Sequence, residues 1–248
     1  NERRWYRYHH LFAELLRQRL RQSDNVAGYH TRASQWCEDN RLEFDAFRHA
    51  TAAGDVARAE RLIESRGIGL HYHSVAMVIL EWLKGLPPST LDARPLLRVR
   101  SATLALMAGQ TSGVEERLLA AERSLQNVEL DYQTRNLIGQ IACARATLAL
   151  THYDPQTMQA QARRALEFLP SDNLTYLFTA NWAWGSACLL QGDRAGAAEA
   201  CGKIISLSEA SGNLFSRMLA IFMLGNLQTL DNQLHQAAAT YRRALELA

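Results

Sequence analysis

The chain of 248 residues is 48% hydrophobic and 21% charged, which is the composition of a folded, soluble protein. Its 27 lysine and arginine residues nearly balance its 25 aspartate and glutamate residues, which excludes the strongly basic surface of a whole domain that binds nucleic acid. No apolar run approaches the ~18 residues of a membrane-spanning helix and no signal peptide is visible, so we expect a cytoplasmic protein without a membrane partner.

Apolar residues recur with the period of an α-helix along almost the whole chain. In the first such stretch, Leu11, Leu15 and Leu16 lie on one face. Prolines such as Pro95 and Pro170 fall at breaks between periodic stretches, and no stretch alternates between apolar and polar residues as a strand does. The sequence therefore predicts helices over residues 9–21, 27–39, 42–53, 55–66, 73–85, 92–108, 113–126, 131–151, 155–168, 173–191, 194–211, 214–230 and 234–247.

Two neighbouring stretches near the C-terminus carry the same set of small and turn-forming residues. Both sets have internal spacings of seven, five and seven residues and they lie 40 residues apart: Gly185, Gly192, Ala197 and Ile204, then Gly225, Asn232, Ala237 and Ala244. A small residue within one helix lets a second helix cross it closely, and Gly or Asn tolerates the left-handed backbone of a tight turn. The pattern resembles the tetratricopeptide repeat, which is a pair of helices.

Weaker units of the same pattern precede these sets, around Ala102 and Ala146, although Arg145 stands where an apolar residue is expected. With the tight turn at Gly54, they place the start of the array near residue 27. We therefore predict an all-α fold, a right-handed superhelical solenoid of tetratricopeptide-like helix pairs with a repeat of about 40 residues. The alternative is a generic helical bundle in which the spacings of Gly and Ala are accidental.

Two stretches near the N-terminus are more specific than the repeat pattern. Residues 7–17 read R-Y-H-x-L-F-x-x-x-L-R, and residues 30–64 contain A-x-x-W followed by A-x-x-H-A-x-x-A-G-D. Together they resemble the segment that joins the ATPase module to the sensor array in MalT-like, large LuxR-family transcriptional regulators. The resemblance is strong over residues 3–64 and extends over the remainder as a long helical repeat.

The resemblance implies a signal-transduction ATPase with a P-loop domain, a winged helix, a helical-repeat sensor and a terminal helix-turn-helix. This chain has no G-x-x-x-x-G-K-[ST] motif and no DNA-reading helix at its end. It would then correspond to the C-terminal helix of the winged-helix region, residues 1–26, and to the sensor domain, residues 27–248. No cofactor is expected in this fragment, since ATP or ADP would bind only in the missing ATPase domain.

The same resemblance implies the partners. They are a small-molecule inducer or a regulatory protein, the protein's own ATPase domain and further copies of itself, and DNA only through the missing helix-turn-helix. The alternative is a free-standing tetratricopeptide scaffold that binds a partner protein or peptide. Six arginines near the N-terminus fit a helix flank that contacts a missing domain, with a DNA contact as the alternative: Arg3, Arg4, Arg7, Arg17, Arg19 and Arg21.

His9 is the candidate nucleotide-sensing residue of the full-length protein. Its surroundings look like the methionine-histidine-aspartate motif of related signalling ATPases, whose histidine contacts the β-phosphate of bound ADP. An imidazole can donate a hydrogen bond to phosphate. Tyr8 and His10 stand where that motif has methionine and aspartate. The alternative is that His9 caps the helix or packs at its start.

Four residues of two successive repeats are the candidate ligand groove, on the inner wall that the first helices of the pairs would line. They are Trp182 and Ser186 in one repeat, and Phe222 and Asn226 in the next. An aromatic face beside hydroxyl and amide groups suits a sugar or another small polar ligand. The alternative is that Trp182 packs on the next repeat. Asn181 and Trp184 are expected between helices.

No motif in the sequence indicates catalysis or a metal site. The scattered cysteines lack the spacing of metal ligands and are expected to be reduced, buried thiols: Cys37, Cys143, Cys188 and Cys201. No serine, cysteine or carboxylate accompanies a histidine at the spacing of a catalytic triad. We therefore expect a binding and signalling module rather than an enzyme.

Overall fold

The computed structural model describes residues 9–22, 25–65, 73–126 and 128–247. Within these ranges the chain forms fourteen helices and no β-strand, so the predicted all-α class is confirmed. Arg3, Arg4 and Arg7 lie outside the described residues, as do the side chains of Arg17 and Arg21. The right-handed superhelical course of the array stays a prediction.

The first compact unit spans residues 1–75. Its helices are α1 (His10–Arg21), α2 (Val26–Asp39), α3 (Glu43–Ala52) and α4 (Val56–Glu64), with α2 packed on α3 and α3 on α4. Ser34 is buried, and its Oγ donates a hydrogen bond to the carbonyl oxygen of Ala46 at 2.8 Å, which joins α2 to α3. The domain boundary predicted after residue 26 rests on the family resemblance and stays a prediction.

The second compact unit spans residues 76–248. Its helices are α5 (His73–Lys84), which begins just before the unit, α6 (Pro88–Asp92), α7 (Pro95–Met107), α8 (Val114–Ser124), α9 (Tyr132–Thr151), α10 (Pro155–Phe168), α11 (Leu174–Gln191), α12 (Arg194–Ser211), α13 (Leu214–Leu230) and α14 (Leu234–Leu245). The single helix predicted over residues 92–108 is wrong at its start. Pro95 occupies the first turn of α7, where its missing N–H costs nothing, and a separate short helix precedes it.

Helices α7 to α14 form four pairs, α7 with α8, α9 with α10, α11 with α12, and α13 with α14. The second helix of each pair also packs on the first helix of the next pair, and the first helices α7, α9 and α11 touch in succession. This is the packing that a tetratricopeptide array requires, because each pair buries its apolar face only against its neighbours. The predicted helix pairs are confirmed.

The turn within each pair has the geometry that the sequence pattern predicts. In each turn a residue with positive φ is followed five positions later by a buried residue of the second helix: Gly109 and Val114, Tyr153 and Met158, Gly192 and Ala197, Asn232 and Ala237. The first of these turns has a second residue with positive φ, Gly113. The register of the weaker units around Ala102 and Ala146 is therefore confirmed. After two of these turns, Asp154 and Asp193 cap the next helix by accepting a hydrogen bond from a backbone N–H.

The small residues in mid-helix allow the close crossing that we expected from the sequence. A Cβ atom placed on Gly185 of α11 would lie 2.9 Å from the Cβ of Ala200 on α12 and 2.9 Å from the Sδ of Met223 on α13. A Cβ placed on Gly225 of α13 would lie 2.5 Å from the Tyr241 ring on α14. Both glycines therefore admit a neighbouring helix where any side chain would collide with it.

Arg145 does not disturb the register of α9, because carboxylates of α8 neutralise it. Its guanidinium lies 2.9 Å from Glu115 and 2.8 Å from Glu122, and Arg164 of α10 lies 2.9 Å from the other oxygen of Glu122. The hydrogen bond from Arg145 lowers the pKa of Glu122, which keeps that carboxylate charged. A charged network thus joins three helices at a position where the repeat pattern expects an apolar side chain.

Candidate functional site

Two of the predicted groove residues, Phe222 and Asn226 of α13, meet at Tyr241 of α14. The rings of Phe222 and Tyr241 are 6.0 Å apart at 51°, and the Tyr241 hydroxyl donates a hydrogen bond to Asn226 Oδ1 at 2.7 Å. The Phe222 side chain remains 48% exposed. Since Oδ1 of Asn226 is engaged, its Nδ2–H groups are the donors left for a ligand.

The other two groove residues, Trp182 and Ser186, lie at the equivalent positions of α11, 40 residues earlier. Both are half-buried. The Trp182 ring stacks on Phe178 with centroids 6.4 Å apart, and it packs against a buried cluster that α11, α12 and α13 share. Trp182 therefore contributes to the core between repeats. A ligand role for the four residues stays a prediction, and Tyr241 is the residue of this surface that the sequence did not reveal.

Asn181 and Trp184 lie on the other side of α11, between helices as expected. Asn181 is 5% exposed, and its Nδ2 donates to the carbonyl oxygen of Leu177 at 2.8 Å. The guanidinium of Arg163 on α10 lies over the half-buried Trp184 ring, 5.6 Å from the ring centroid. Asn181 also lines an open cleft of about 560 Å³ beside α12, which the sequence did not predict.

His9 immediately precedes α1, in the position of an N-terminal cap. Its side chain is exposed and makes no capping hydrogen bond, and its ring lies 4.3 Å from that of His10. The capping part of the alternative for His9 is therefore wrong, because no helix N–H is bonded to the imidazole, whereas packing at the start of the helix stays a prediction. The nucleotide-sensing role remains a prediction for the full-length protein.

Two histidines that are distant in sequence meet in the first unit. The Nδ1 atoms of His30 on α2 and His49 on α3 are 2.9 Å apart, so one of the two imidazoles donates a hydrogen bond to the other. Burial and the neighbouring His30 lower the pKa of His49, which favours the neutral ring. Asp45 on α3 opposes this effect and Arg48 adds to it.

The four cysteines are buried and unpaired, as the sequence predicts. Burial raises the pKa of each thiol, so all four stay protonated and unreactive. Among the described residues, no three histidine, cysteine or carboxylate side chains converge as metal ligands. None of the described helices combines the length and the apolar character that crossing a membrane would require.

Comparison with known sequence families gives two matches. Residues 139–248 match the MalT-like TPR region, and residues 1–27 match the MalT winged helix domain. The HTH-type transcriptional regulator MalT of Cronobacter sakazakii is 30% identical over 76% of this chain, and that of Serratia proteamaculans is 31% identical over 67%. The chain therefore carries part of a MalT winged helix domain followed by a MalT-like TPR region, which confirms the predicted resemblance to MalT-like regulators. It spans 21% and 18% of the lengths of these two relatives.

A second kind of relative carries the same segment. The serine/threonine-protein kinase PknK of Mycobacterium tuberculosis is 33% identical over 53% of this chain, which spans 12% of the kinase. No solved structure matches the chain. The four groove residues fall within the MalT-like TPR region and His9 within the winged-helix match, and neither region is a catalytic domain.

Proposed function

We propose that this chain is the ligand-sensing and self-association segment of a cytoplasmic, MalT-like signal-transduction ATPase that activates transcription. The observation that carries the proposal is the succession of a MalT winged-helix match and a MalT-like TPR match on one chain. That order is the one in which such a regulator would connect its nucleotide-binding part to its sensor. The helix pairs observed in residues 95–245 supply the surfaces on which a signal could bind.

The aromatic and amide side chains around Tyr241 support a small polar ligand at this surface. Phe222 offers an exposed ring face, and Asn226 offers amide donors whose orientation the Tyr241 hydroxyl fixes. An aromatic face beside oriented donors is the arrangement that sugar-like ligands use. A ligand bound there shifts the protein between its forms only by the difference in its affinity for the two.

The second candidate function is an interaction scaffold that binds a partner protein or peptide. The similarity to PknK favours it, because a protein named as a kinase matches part of this chain as the MalT relatives do. A segment that occurs in both kinds of protein fits a general interaction module. The coding sequence on either side discriminates between the two functions. A P-loop upstream and a helix-turn-helix downstream support the regulator, whereas their absence supports the scaffold.

The test of the sensing role is a thermal-shift screen of this chain with sugars, small organic acids and aromatic metabolites. A ligand that binds the folded chain raises its Tm by mass action. Phe222→Leu should abolish that rise, because it removes the ring face while keeping an apolar side chain. The matched control is Phe215→Leu, a 53% exposed phenylalanine on the same helix, which should keep the rise.

Two results would contradict the sensing role. One is a panel in which no compound raises the Tm. The other is an equal loss of the rise in the Phe222→Leu and Phe215→Leu variants, because a ligand that does not distinguish the two rings does not bind at Tyr241.

A further inference from the structure

Gly202, in the middle of α12, has no packing reason to be glycine. A Cβ atom placed on it would meet no atom of the chain within 4 Å. At every other glycine inside a described helix, the added Cβ would come within 3.0 Å of a neighbouring atom: Gly28, Gly139, Gly185, Gly196 and Gly225. Glycine is the poorest helix former apart from proline, so its use at an exposed mid-helix position calls for an external reason.

The second helices on either side of α12 carry arginine at the equivalent position, whereas α8 carries Leu119. Counting five residues on from the buried positions Met158, Ala197 and Ala237 gives Arg163 on α10, Gly202 on α12 and Arg242 on α14. Nine residues on from the same buried positions lie Glu167, Ser206 and Glu246. The second helices on either side therefore carry long charged side chains where α12 carries a glycine and a serine.

The missing side chains open a cleft of about 560 Å³, which we name the Gly202 cleft. Leu177 and Asn181 of α11 and the small residues of α12 line it, with Glu199 and Lys203 beside them: Ala198, Gly202 and Ser206. Most of its lining surface is apolar. Small residues spaced by four allow the backbone of another helix to come close, because no side chain holds it away.

Asn181 places a polar group at the Gly202 cleft. Asn181 is only 5% exposed, and its Nδ2 donates a hydrogen bond to the carbonyl oxygen of Leu177 on the same helix. Within the described parts of the chain, Oδ1 accepts no hydrogen bond and is not fully enclosed, and Asn181 is one of the residues that line the cleft. An accessible carbonyl oxygen of this kind can accept a hydrogen bond from a donor that a partner brings.

The charges beside the cleft complement a second copy of the same helix. Glu199 and Lys203 lie one turn apart and form an ion pair of 2.7 Å. When two α12 helices cross antiparallel near Gly202, Glu199 of each copy lies beside Lys203 of the other, and a two-fold contact is formed from one self-complementary patch.

We infer that the Gly202 cleft is a self-association surface, on which α12 of a second copy of this chain packs antiparallel. The inference rests on the self-association part of the proposed function and adds the surface that mediates it. A contact made mainly by one helix pair lies at the small end of the range of protein interfaces, so the dimer is weak and forms at micromolar concentrations.

Sedimentation velocity of this chain, from low to high micromolar concentration, tests the inference. The wild type should shift from monomer to dimer as its concentration rises. Gly202→Arg places in α12 the residue that α10 and α14 already have, so it should fold at least as well by circular dichroism and stay monomeric. The matched control is Ala239→Arg, which adds the same charge on the exposed face of α14 and should dimerise like the wild type.

Charge reversal tests the antiparallel arrangement separately. Glu199→Lys and Lys203→Glu should each weaken self-association by roughly tenfold, because like charges then face each other across the two-fold axis. An equimolar mixture of the two variants should restore dimers that contain one copy of each, since each lysine then faces a glutamate. An ion pair confined to one helix would give no such rescue.

The outcomes separate failure of the surface from failure of the proposed function. A wild-type dimer that Gly202→Arg leaves intact overturns the Gly202 cleft as the interface, while self-association stands. A wild-type chain that stays monomeric at every concentration overturns the self-association surface, and the thermal-shift screen still tests the sensing role. A monomeric Gly202→Arg, together with rescue in the charge-reversed mixture, supports the inference.

Discussion

The helix pairs α11–α12 and α13–α14 follow the same sequence pattern, but the equivalent residues of the two pairs are buried to different extents. Gly185 of the first pair is enclosed by Ala200 of its own pair and by Met223 of the next, whereas the ring of Tyr241 within its own pair covers Gly225. At the equivalent aromatic positions, Trp182 is half-buried and Phe222 is 48% exposed. The sequence pattern thus determines the geometry within a pair, and contact with the following pair determines how deeply the residues of a pair are buried.

The largest expected effect distinguishes the two aromatic residues. Trp182→Ala removes a ring that packs against the buried cluster shared by three helices, so it should lower the free energy of unfolding by about 3 kcal/mol. Phe222→Ala removes a half-exposed ring and should cost about 1 kcal/mol. Urea denaturation of both variants measures the difference. Equal costs would mean that Trp182 does not contribute to the contact between pairs.

A second prediction separates the two glycines. Gly185→Ala brings a Cβ against the Cβ of Ala200, which has no rotamer to give way, and the net loss should be about 2 kcal/mol. The three atoms nearest to a Cβ on Gly225 all belong to the Tyr241 ring, which can swing aside, and the better helix propensity of alanine returns about 1 kcal/mol. The Gly225 variant should therefore stay within about 1 kcal/mol of the wild type by urea denaturation.

The smallest effect concerns the caps that begin the second helices. Asp193 accepts a hydrogen bond from the N–H of Gly196 at 2.9 Å, whereas Gln233 at the start of α14 makes no side-chain capping bond. Asp193→Ala should cost about 1 kcal/mol, and Gln233→Asp should gain somewhat less than that. Thermal unfolding followed by circular dichroism checks both signs. Loss of stability in Gln233→Asp would show that the two turns differ in geometry.

The sequence predicts the turns well because their geometry depends on local residue chemistry. Glycine at 192 and asparagine at 232 tolerate positive φ, and both residues adopt it. The unit at Tyr153 was harder to recognise, since a tyrosine with a φ of 54° carries no such signal. Its register could be predicted only from its spacing to better-defined units.

Contacts between distant residues account for what the sequence did not reveal. The ion pairs of Arg145 with Glu115 and Glu122 join residues more than 20 positions apart, and the bond from Tyr241 to Asn226 spans 15. Neither pairing follows from helical periodicity. Gly202 was within reach of sequence reasoning, because comparison with Arg163 and Arg242 in the neighbouring repeats marks it as an exception.

Native-state hydrogen exchange on the two glycine variants tests most directly whether contact between pairs sets the burial of each pair. If Met223 on Gly185 couples the pairs, Gly185→Ala should speed amide exchange in α13 as well as in α11 and α12. Gly225→Ala should speed exchange only in α13 and α14. Faster exchange confined to α11 and α12 in the Gly185 variant would contradict the account, because each pair would then be stable independently of the next.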